Sequence, residues 1–237
     1  MDGILNVNKP VDMTSHDVVD CIRRLIKQKK VGHAGTLDPQ ASGVLVLLLG
    51  KATKLAENLK GDSKEYIASM KFGVNTTTQD AWGEIIEQRS NFSIQKESVK
   101  KTLLGFKGEI NQIPPMFSAL HYQGKRLYEL ARQGKEVKRL PRKVTIFEIK
   151  LLDFVPPDEL TFIVACSSGF YVRTLCADIG AALEVGGHLT SLKRIRSGRF
   201  KVEDSINLSD LTEGKIKVEE VFYQYRNENL LENSSSI

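Results

Sequence analysis

Residues 31–50 read VGHAGTLDPQASGVLVLLLG. The first part of this stretch carries Gly32, Gly35 and Gly43 and a single acid, Asp38, followed directly by Pro39. Glycines let a backbone turn tightly or approach a ligand closely, and a proline pushes the residue before it toward an extended conformation. The loop is therefore built to present one carboxylate. The run VLVLLL that follows, bounded by Gly43 and Gly50, is the pattern of a fully buried strand. Taken alone, an Asp-Pro pair is a turn former that caps something nearby, so a role for Asp38 has to come from the rest of the chain.

Outward from this stretch the pattern alternates between short strands and short helices. GILNVNKP, residues 3–10, reads as a buried strand entering a turn closed by Pro10. Thr14 and Asp17 stand at capping-box spacing ahead of Val18, Val19, Ile22, Leu25 and Ile26, which share one helical face, so a helix is expected to about Gln28. KATKLAENLK reads as a helix, and EYIASMKF as a strand with Tyr66, Ala68, Met70 and Phe72 on one face. Beyond these, a helix is expected over Ile94–Leu104, an extended segment at QIPPMFSAL, and a short helix at RLYELARQ stopped by Gly134. KVTIFEIKLLDF and LTFIVAC read as strands, YVRTLCADIGAALE as a helix ending at Gly186-Gly187, and LTSLKRIRSGRF as a returning strand. No regular βα repeat or dinucleotide fingerprint is present. The expected fold is α+β, a mixed and largely antiparallel central sheet with flanking helices. From Thr212 the pattern weakens, and NENLLENSSSI reads as a frayed end.

The 237 residues, 41% hydrophobic and 27% charged, have an ordinary globular composition. The first residues show no secretory pattern and the longest apolar run, Val44–Leu49, is far too short to span a bilayer, so a cytoplasmic location with no membrane partner is expected. Cys21, Cys166 and Cys176 form no CxxC pair, and the four histidines lack ligand spacing, so neither a disulfide framework nor a metal site is expected. The net charge of +5 is concentrated in KQKK at 27–30, in the segment from Lys125 to Lys143, and in KRIRSGRFK at 193–201. Such clusters suit a polyanion, because lysines and arginines release counterions from phosphates.

Six blocks, in this order, carry a recognisable likeness: NKPVDMTSHDVV, VGHAGTLDPQASGVL, KEYIASMKFG, QIPPMFSALHYQGKRLYELARQG, CSSGFYVRTLCADIG and GGHLTSLKRIRSG. By them the chain resembles the TruB family of tRNA pseudouridine-55 synthases over roughly residues 3–210. The resemblance implies the pseudouridine synthase fold and an isomerase of a T-loop uridine in tRNA that needs no metal or organic cofactor. It makes Asp38 the catalytic aspartate, Arg173 the arginine that pairs with it, and Tyr66 the tyrosine that stacks on the flipped uracil and takes part in C5 deprotonation. It puts His33 in the space left by the flipped base and Tyr171 and Leu192 around the uracil, with Lys9 supporting the catalytic loop. An RNA-gripping insert at about 112–142 offers Lys125, Arg126, Arg132 and Arg139 to phosphates, joined by Lys193 and Arg194 of the basic strand. The implied partner is the T arm and T loop of tRNA, met by a monomer with no obligate protein partner.

The chemistry explains why one carboxylate can be enough. Isomerisation breaks the N1–C1′ bond, turns the uracil, joins C5 to C1′ and releases the C5 proton. A glycosidase uses two carboxyl groups because it must also manage a water; here the departing base is the incoming nucleophile. The aspartate either attacks C1′ or removes a C2′ proton to give a glycal. Both routes need an ionised carboxylate, and burial disfavours that form unless a cation stands near. A catalytically silent RNA-binding protein would need the basic surface but not the trio Asp38, Tyr66 and Arg173. A phosphate-loop reading of GHAGT lacks a P-loop lysine.

Three departures from the family pattern stand out. Thr77 occupies a position usually acidic, His121 one where lysine is common, and the chain lacks the length for the C-terminal PUA module that family members usually carry. The expected organisation is a catalytic domain over 1–211 followed by a short tail at 212–237, without a PUA domain.

Overall fold

The computed structural model describes residues 1–225; the expected frayed end at 227–237 lies outside them. The chain forms two compact units, one of residues 1–64 together with the segment from Lys193 onward, the other of residues 65–192.

The first unit opens with β1 (Gly3–Lys9), α1 (Ser15–Leu25), β2 (Val31–His33) and β3 (Ala41–Leu49), followed by a 3-10 turn at Gly50–Leu55 and α2 (Ala56–Gly61). The second unit holds β4 (Lys64–Phe72), the hairpin β5 (Val74–Thr76) and β6 (Ile85–Gln88), α3 (Lys96–Gly105) and β7 (Gly108–Gln112). It continues with β8 (His121–Tyr122), β9 (Lys125–Arg126), α4 (Leu127–Arg132), β10 (Arg142–Val155), β11 (Glu159–Cys166) and α5 (Val172–Ala182), and its last element is the first part of β12 (Gly187–Ser197). The chain then returns to the first unit through β13 (Phe200–Lys201), β14 (Ile206–Asn207), α6 (Leu208–Thr212), α7 (Val218–Val221) and β15 (Tyr223–Gln224). Strand order is β14-β1-β3-β12 in the first unit and β12-β4-β11-β10-β7 in the second. Pairing is antiparallel along β1–β3 and β7–β10–β11, with β14 parallel to β1. The fold is thus the expected mixed, largely antiparallel sheet with flanking helices.

Both faces of β1 and β3 are covered, which is why β3 carries no alternation. Leu5, Val7, Leu45, Leu47 and Leu49 pack with Val18, Val19 and Ile22 of α1 and with Leu208 and Leu211. On the other face Ile4, Val44, Val46 and Leu48 pack with Leu59 and Phe200. The β1–β3 register runs from Gly3↔Leu49 to Lys9↔Gly43, so Lys9 ends its strand opposite the close of the 31–43 loop. In the second unit β4 buries Ala68, Met70 and Phe72 on the face expected, α3 packs on β10 and α5, and Phe72 meets Phe154 edge-on at 6.5 Å.

Several boundaries differ from expectation for local reasons. The first helix stops at Leu25, three residues early, because Ile26 already donates as a cap and Lys27 takes a left-handed φ of 51°. KATKLAENLK begins as a 3-10 turn before α2. The third helix begins at Lys96, and α5 ends at Ala182, short of Gly186-Gly187, with Gly187 opening β12. Val185 and Gly186 both donate to the Gly180 carbonyl, and a Cβ on Gly180 would lie 2.3 Å from the Gly186 carbonyl carbon, so the chain folds back tightly over the helix. Beyond 212 the chain still forms α7 and β15: Val218 is buried in the α1 cluster and β15 pairs with Gly3 and Ile4 of β1.

The Thr14 cap is fully formed. Its hydroxyl accepts from Asp17 N at 3.0 Å, and Thr14 N donates to Asp17 Oδ2 at 2.7 Å. The Thr14 hydroxyl also donates to Oδ2 at 2.7 Å, and this bond together with that from Thr14 N holds the Asp17 carboxyl below the usual carboxylate range. Thr14→Ala is expected to lower the unfolding free energy in urea by about 1 kcal/mol; a change below about 0.3 kcal/mol would show that α1 is held by packing alone.

Candidate active site

In the first unit the loop that carries Asp38 is held through its own main chain. Lys9 is 0% exposed, and its ammonium donates to Pro10 O at 2.7 Å, Met13 O at 2.5 Å and Pro39 O at 3.2 Å. Three donors meet three carbonyls, so the side chain is saturated. Burial pushes its pKa down to about 8, against the opposing pull of Asp38, Asp12 and Asp17, so the ammonium persists at neutral pH. Arg194 is 1% exposed and donates from Nε to Val44 O at 2.7 Å, from Nη1 to Thr36 O at 3.4 Å and from Nη2 to Gly35 O at 3.2 Å. Between these cations the Ser15 hydroxyl accepts from Leu37 N at 2.8 Å and reaches Leu37 O at 3.1 Å. Asp12 N donates to Pro39 O and Ala41 N to Asp38 O. Main-chain atoms at 35, 36, 37, 38 and 39 are therefore all engaged, while the Asp38 side chain itself sits half-buried. Of these bonds, the one to Pro39 O ties Lys9 to the residue after Asp38.

Arg194 corrects an expectation. In the run KRIRSGRFK it reads as a surface cation for phosphates, but its fully buried guanidinium is committed to loop carbonyls, and Lys193 beside it is the exposed residue. Gly43 explains the close approach: its φ is 102°, and a Cβ there would lie 2.1 Å from the Arg194 carbonyl oxygen.

His33 ends β2, five residues before Asp38. Its pKa falls from the ordinary 6.5 to about 4, mainly through burial and secondarily through the Arg194 charge. The imidazole is neutral at physiological pH, with Nδ1 buried and without a hydrogen-bond partner among the described residues.

In the second unit Tyr171 and Arg173 stand together at the start of α5, Tyr171 as its N-cap. Arg173 is 5% exposed and donates from Nη2 to Phe117 O at 2.7 Å and from Nη1 to Thr78 O at 3.4 Å. Asp80 lies 3.6 Å from Nη1 and is itself oriented by the Thr78 hydroxyl at 2.6 Å and Trp82 N at 3.1 Å. Thr77 is exposed and its hydroxyl accepts from Glu84 N across the β5–β6 hairpin. The buried carboxylate beside Arg173 is thus Asp80, three residues after Thr77. Tyr66 is half-buried on β4 and Leu192 buried on β12.

The insert leaves the sheet at Gln112 and returns at Arg142, which are register partners. Lys125, Arg126 and Arg132 are exposed, with Arg126 and Arg132 lying 6.0 and 5.5 Å from the Tyr128 ring centre, one cation on either side in sequence. Arg139 is half-buried, pairing with Glu136 at 3.0 Å and donating to Pro114 O at 3.3 Å. His121 is exposed on β8. Sequence reasoning missed Ser15, Asp80, Gln112 and Phe117. Asp80 had a signal, since an Asp two residues before an amide donor is an Asx turn; Phe117 acts through its carbonyl and had none.

Among the described residues no group of three or more His, Cys, Asp or Glu could hold a metal ion, and no helix is long and apolar enough to cross a membrane. The chemistry on offer is that of a single carboxylate on a rigid loop, a neutral imidazole near it in sequence, and a buried arginine at a helix start.

Solved structures share this architecture. A chain of a Cbf5–Nop10–Gar1 complex superposes with a TM-score of 0.71 at 34% identity, covering 89% of this chain and 54% of its own. A chain of an H/ACA RNP bound to a substrate RNA containing 2′-deoxyuridine gives a TM-score of 0.70 at 30% identity, covering 94% and 59%. This chain thus spans between half and three-fifths of those proteins. Among curated relatives, tRNA pseudouridine synthase B of Clostridium kluyveri is 47% identical over 211 residues, 89% of this chain and 72% of that one. The protein of the same name from Symbiobacterium thermophilum is 49% identical over 220 residues, 92% and 74%. Fold and likeness define a pseudouridine synthase, an isomerase. The model of the TruB family pseudouridylate synthase N-terminal domain matches residues 23–172 and that of the tRNA pseudouridylate synthase B C-terminal domain residues 173–231. The chain belongs to the TruB family.

The state of His33 gives a pH test. Its native pKa lies below that of the unfolded imidazole, so as pH falls the unfolded chain takes up a proton first and stability is lost between pH 6.5 and 4. Between pH 7 and pH 5 this linkage removes about 2 kcal/mol. His33→Phe, which keeps a ring and cannot titrate, is expected to show a fall in urea-unfolding free energy smaller by that amount; equal falls in both proteins would mean that His33 protonates freely in the native state.

Proposed function

We propose that this enzyme isomerises the T-loop uridine of tRNA, position 55, to pseudouridine, with Asp38 as the carboxylate that acts at the sugar. The observation that carries the reading is the clamp on the Asp38 loop. Two buried cations, Lys9 and Arg194, take their hydrogen-bond acceptors from the main chain on either side of Asp38. A carboxylate held in this way needs little reorganisation when it attacks C1′ or removes the C2′ proton, and fixed geometry is the main contribution a protein can make to such a step. The base that leaves is the base that returns, so the second carboxylate of a glycosidase has no task.

The remaining roles follow the chemistry of each side chain. Flipping the uridine costs a few kcal/mol of stacking, and a neutral imidazole such as His33 replaces part of that surface without adding a charge. Tyr66 offers its ring to the uracil and its hydroxyl to the C5 proton, Tyr171 and Leu192 enclose the base, and Arg173 provides the cation that an ionised carboxylate requires. Lys125, Arg126, Arg132 and Lys193 serve phosphates of the T arm. The relatives named above, bacterial tRNA pseudouridine synthases, support a tRNA substrate and a cytoplasmic setting.

The test is nucleoside analysis of unmodified tRNA after incubation with the protein, with Asp38→Asn in parallel. The parent is expected to make one new pseudouridine per tRNA. The nearly isosteric amide should bind tRNA within threefold of the parent and lose more than about 10³ in rate, roughly 4 kcal/mol of transition-state stabilisation. Turnover within tenfold of the parent would remove Asp38 from the chemistry.

A further inference from the structure

The root of the 112–142 insert is bonded to the start of α5 at two points. Gln112 is 2% exposed, and its carboxamide makes a reciprocal pair with the main chain of Tyr171: Nε2 donates to Tyr171 O at 3.0 Å, and Tyr171 N donates to Oε1 at 2.8 Å. A side chain here does what a neighbouring strand would do, satisfying both polar groups of one residue. Two residues further, Arg173 donates to the carbonyl of Phe117, which lies in the first limb of the same insert. That limb in turn holds α4, the element beside the exposed cations: Leu127 N donates to Leu120 O at 2.8 Å and Tyr128 N to Ser118 O at 3.1 Å. A path therefore runs from Tyr128, whose ring meets Arg126 and Arg132, by a hydrogen bond to Ser118, along the peptide link to Phe117 and by a second hydrogen bond to Arg173, with Gln112 and Tyr171 fixing its base.

We propose that Gln112 is a positioning residue for catalysis, coupling the seat of the RNA-gripping insert to the placement of Tyr171 and Arg173. The inference rests on the functional reading above, in which the insert meets RNA and Arg173 serves the reaction. Gln112 is buried and its carboxamide is occupied by the Tyr171 main chain, so it has no part in holding RNA. Its loss takes this acceptor from the Tyr171 N–H and one of two donors from the Tyr171 C=O, which also accepts from Leu175 N at 3.1 Å, and so loosens the helix start that carries Arg173. Displacements of about 1 Å in such supports cost on the order of 100-fold in rate. The effect should fall on the chemical step and spare RNA affinity.

The experiment measures single-turnover pseudouridine formation at saturating enzyme, and the Kd, for an unmodified T-arm RNA, with the parent, Gln112→Leu and Gln112→Glu. Gln112→Leu is expected to lower the rate about 30- to 100-fold while Kd stays within threefold. Gln112→Glu carries a conditional donor. Ionised, its carboxyl can accept from Tyr171 N but sets an anion against Tyr171 O; protonated, it can do both. Its deficit relative to the parent at the same pH should therefore shrink to within fivefold as pH falls from 8 to 6, burial having raised the pKa of the introduced carboxyl. A residue needed only for folding would change the amount of enzyme required for saturation and leave the rate constant at saturation unchanged, and this second variant decides the matter should Gln112→Leu fail to fold. A Gln112→Leu rate within threefold of the parent, a loss confined to Kd, or a Gln112→Glu deficit independent of pH would each overturn the proposal while leaving the functional reading intact. A parent that forms no pseudouridine on this RNA or on whole tRNA would overturn the functional reading and the coupling with it.

Discussion

Two cations without solvent, Lys9 and Arg194, organise the first unit. Moving an ammonium or guanidinium out of water costs several kcal/mol even after relaxation, and the cost is met only if the environment supplies hydrogen-bond acceptors in good geometry. Here the acceptors are main-chain carbonyls of the loop around Asp38 and of the turn after β1, five of the six belonging to residues 10, 13, 35, 36 and 39. Neither the cations nor the loop can be placed independently. The β1–β3 register that sets Lys9 opposite Gly43, and the absence of a Cβ at Gly43 where the Arg194 backbone passes, are consequences of the same requirement. A one-residue slip of β1 would turn Lys9 to the other face of the sheet and leave its carbonyls without donors.

This constraint also gives the carboxylate its value. A loop whose carbonyls and amides are already committed presents its one acid with little freedom, and the adjoining imidazole is kept neutral by burial and by the Arg194 charge. The second unit repeats the device with different parts: Arg173 is fixed by two carbonyls and the Asp80 carboxylate, and Asp80 by a hydroxyl and an amide. In both units the catalytic candidates are oriented by groups that do not themselves react.

What the sequence disclosed follows from what sequence patterns encode. The capping box at Thr14 and Asp17, the apolar face of α1, the unbroken apolar run of β3 and the alternation along β4 all reflect local geometry; the cap and β3 formed as read, while α1 buries Val18, Val19 and Ile22 but not Leu25, and β4 buries Ala68, Met70 and Phe72 with Tyr66 half-buried. Asp38 stood out because glycines and a proline around one acid are themselves a pattern. Arg194 did not, because a charge run reads as a solvated face and the partners of its guanidinium are carbonyls contributed by residues about 150 positions away. Gln112 and Phe117 were hidden for the same reason: one bonds only to main chain and the other acts only through it. The ordered elements after 212 were missed because α7 and β15 are too short for periodicity to show, and tertiary packing of Val218 and pairing with β1 create them.

The clamp is tested most directly by amide hydrogen exchange across residues 34–41 in the parent and in Arg194→Met. The parent should show slow exchange at Leu37, whose amide is held by the Ser15 hydroxyl, and at Ala34 and Ala41, held by main-chain carbonyls. In Arg194→Met these amides should exchange about 100-fold faster, a local loss near 2.7 kcal/mol, while amides within α1 are unchanged. Free exchange of Leu37 and Ala41 in the parent, or protection that survives Arg194→Met, would contradict the view that buried cations hold the Asp38 loop in place.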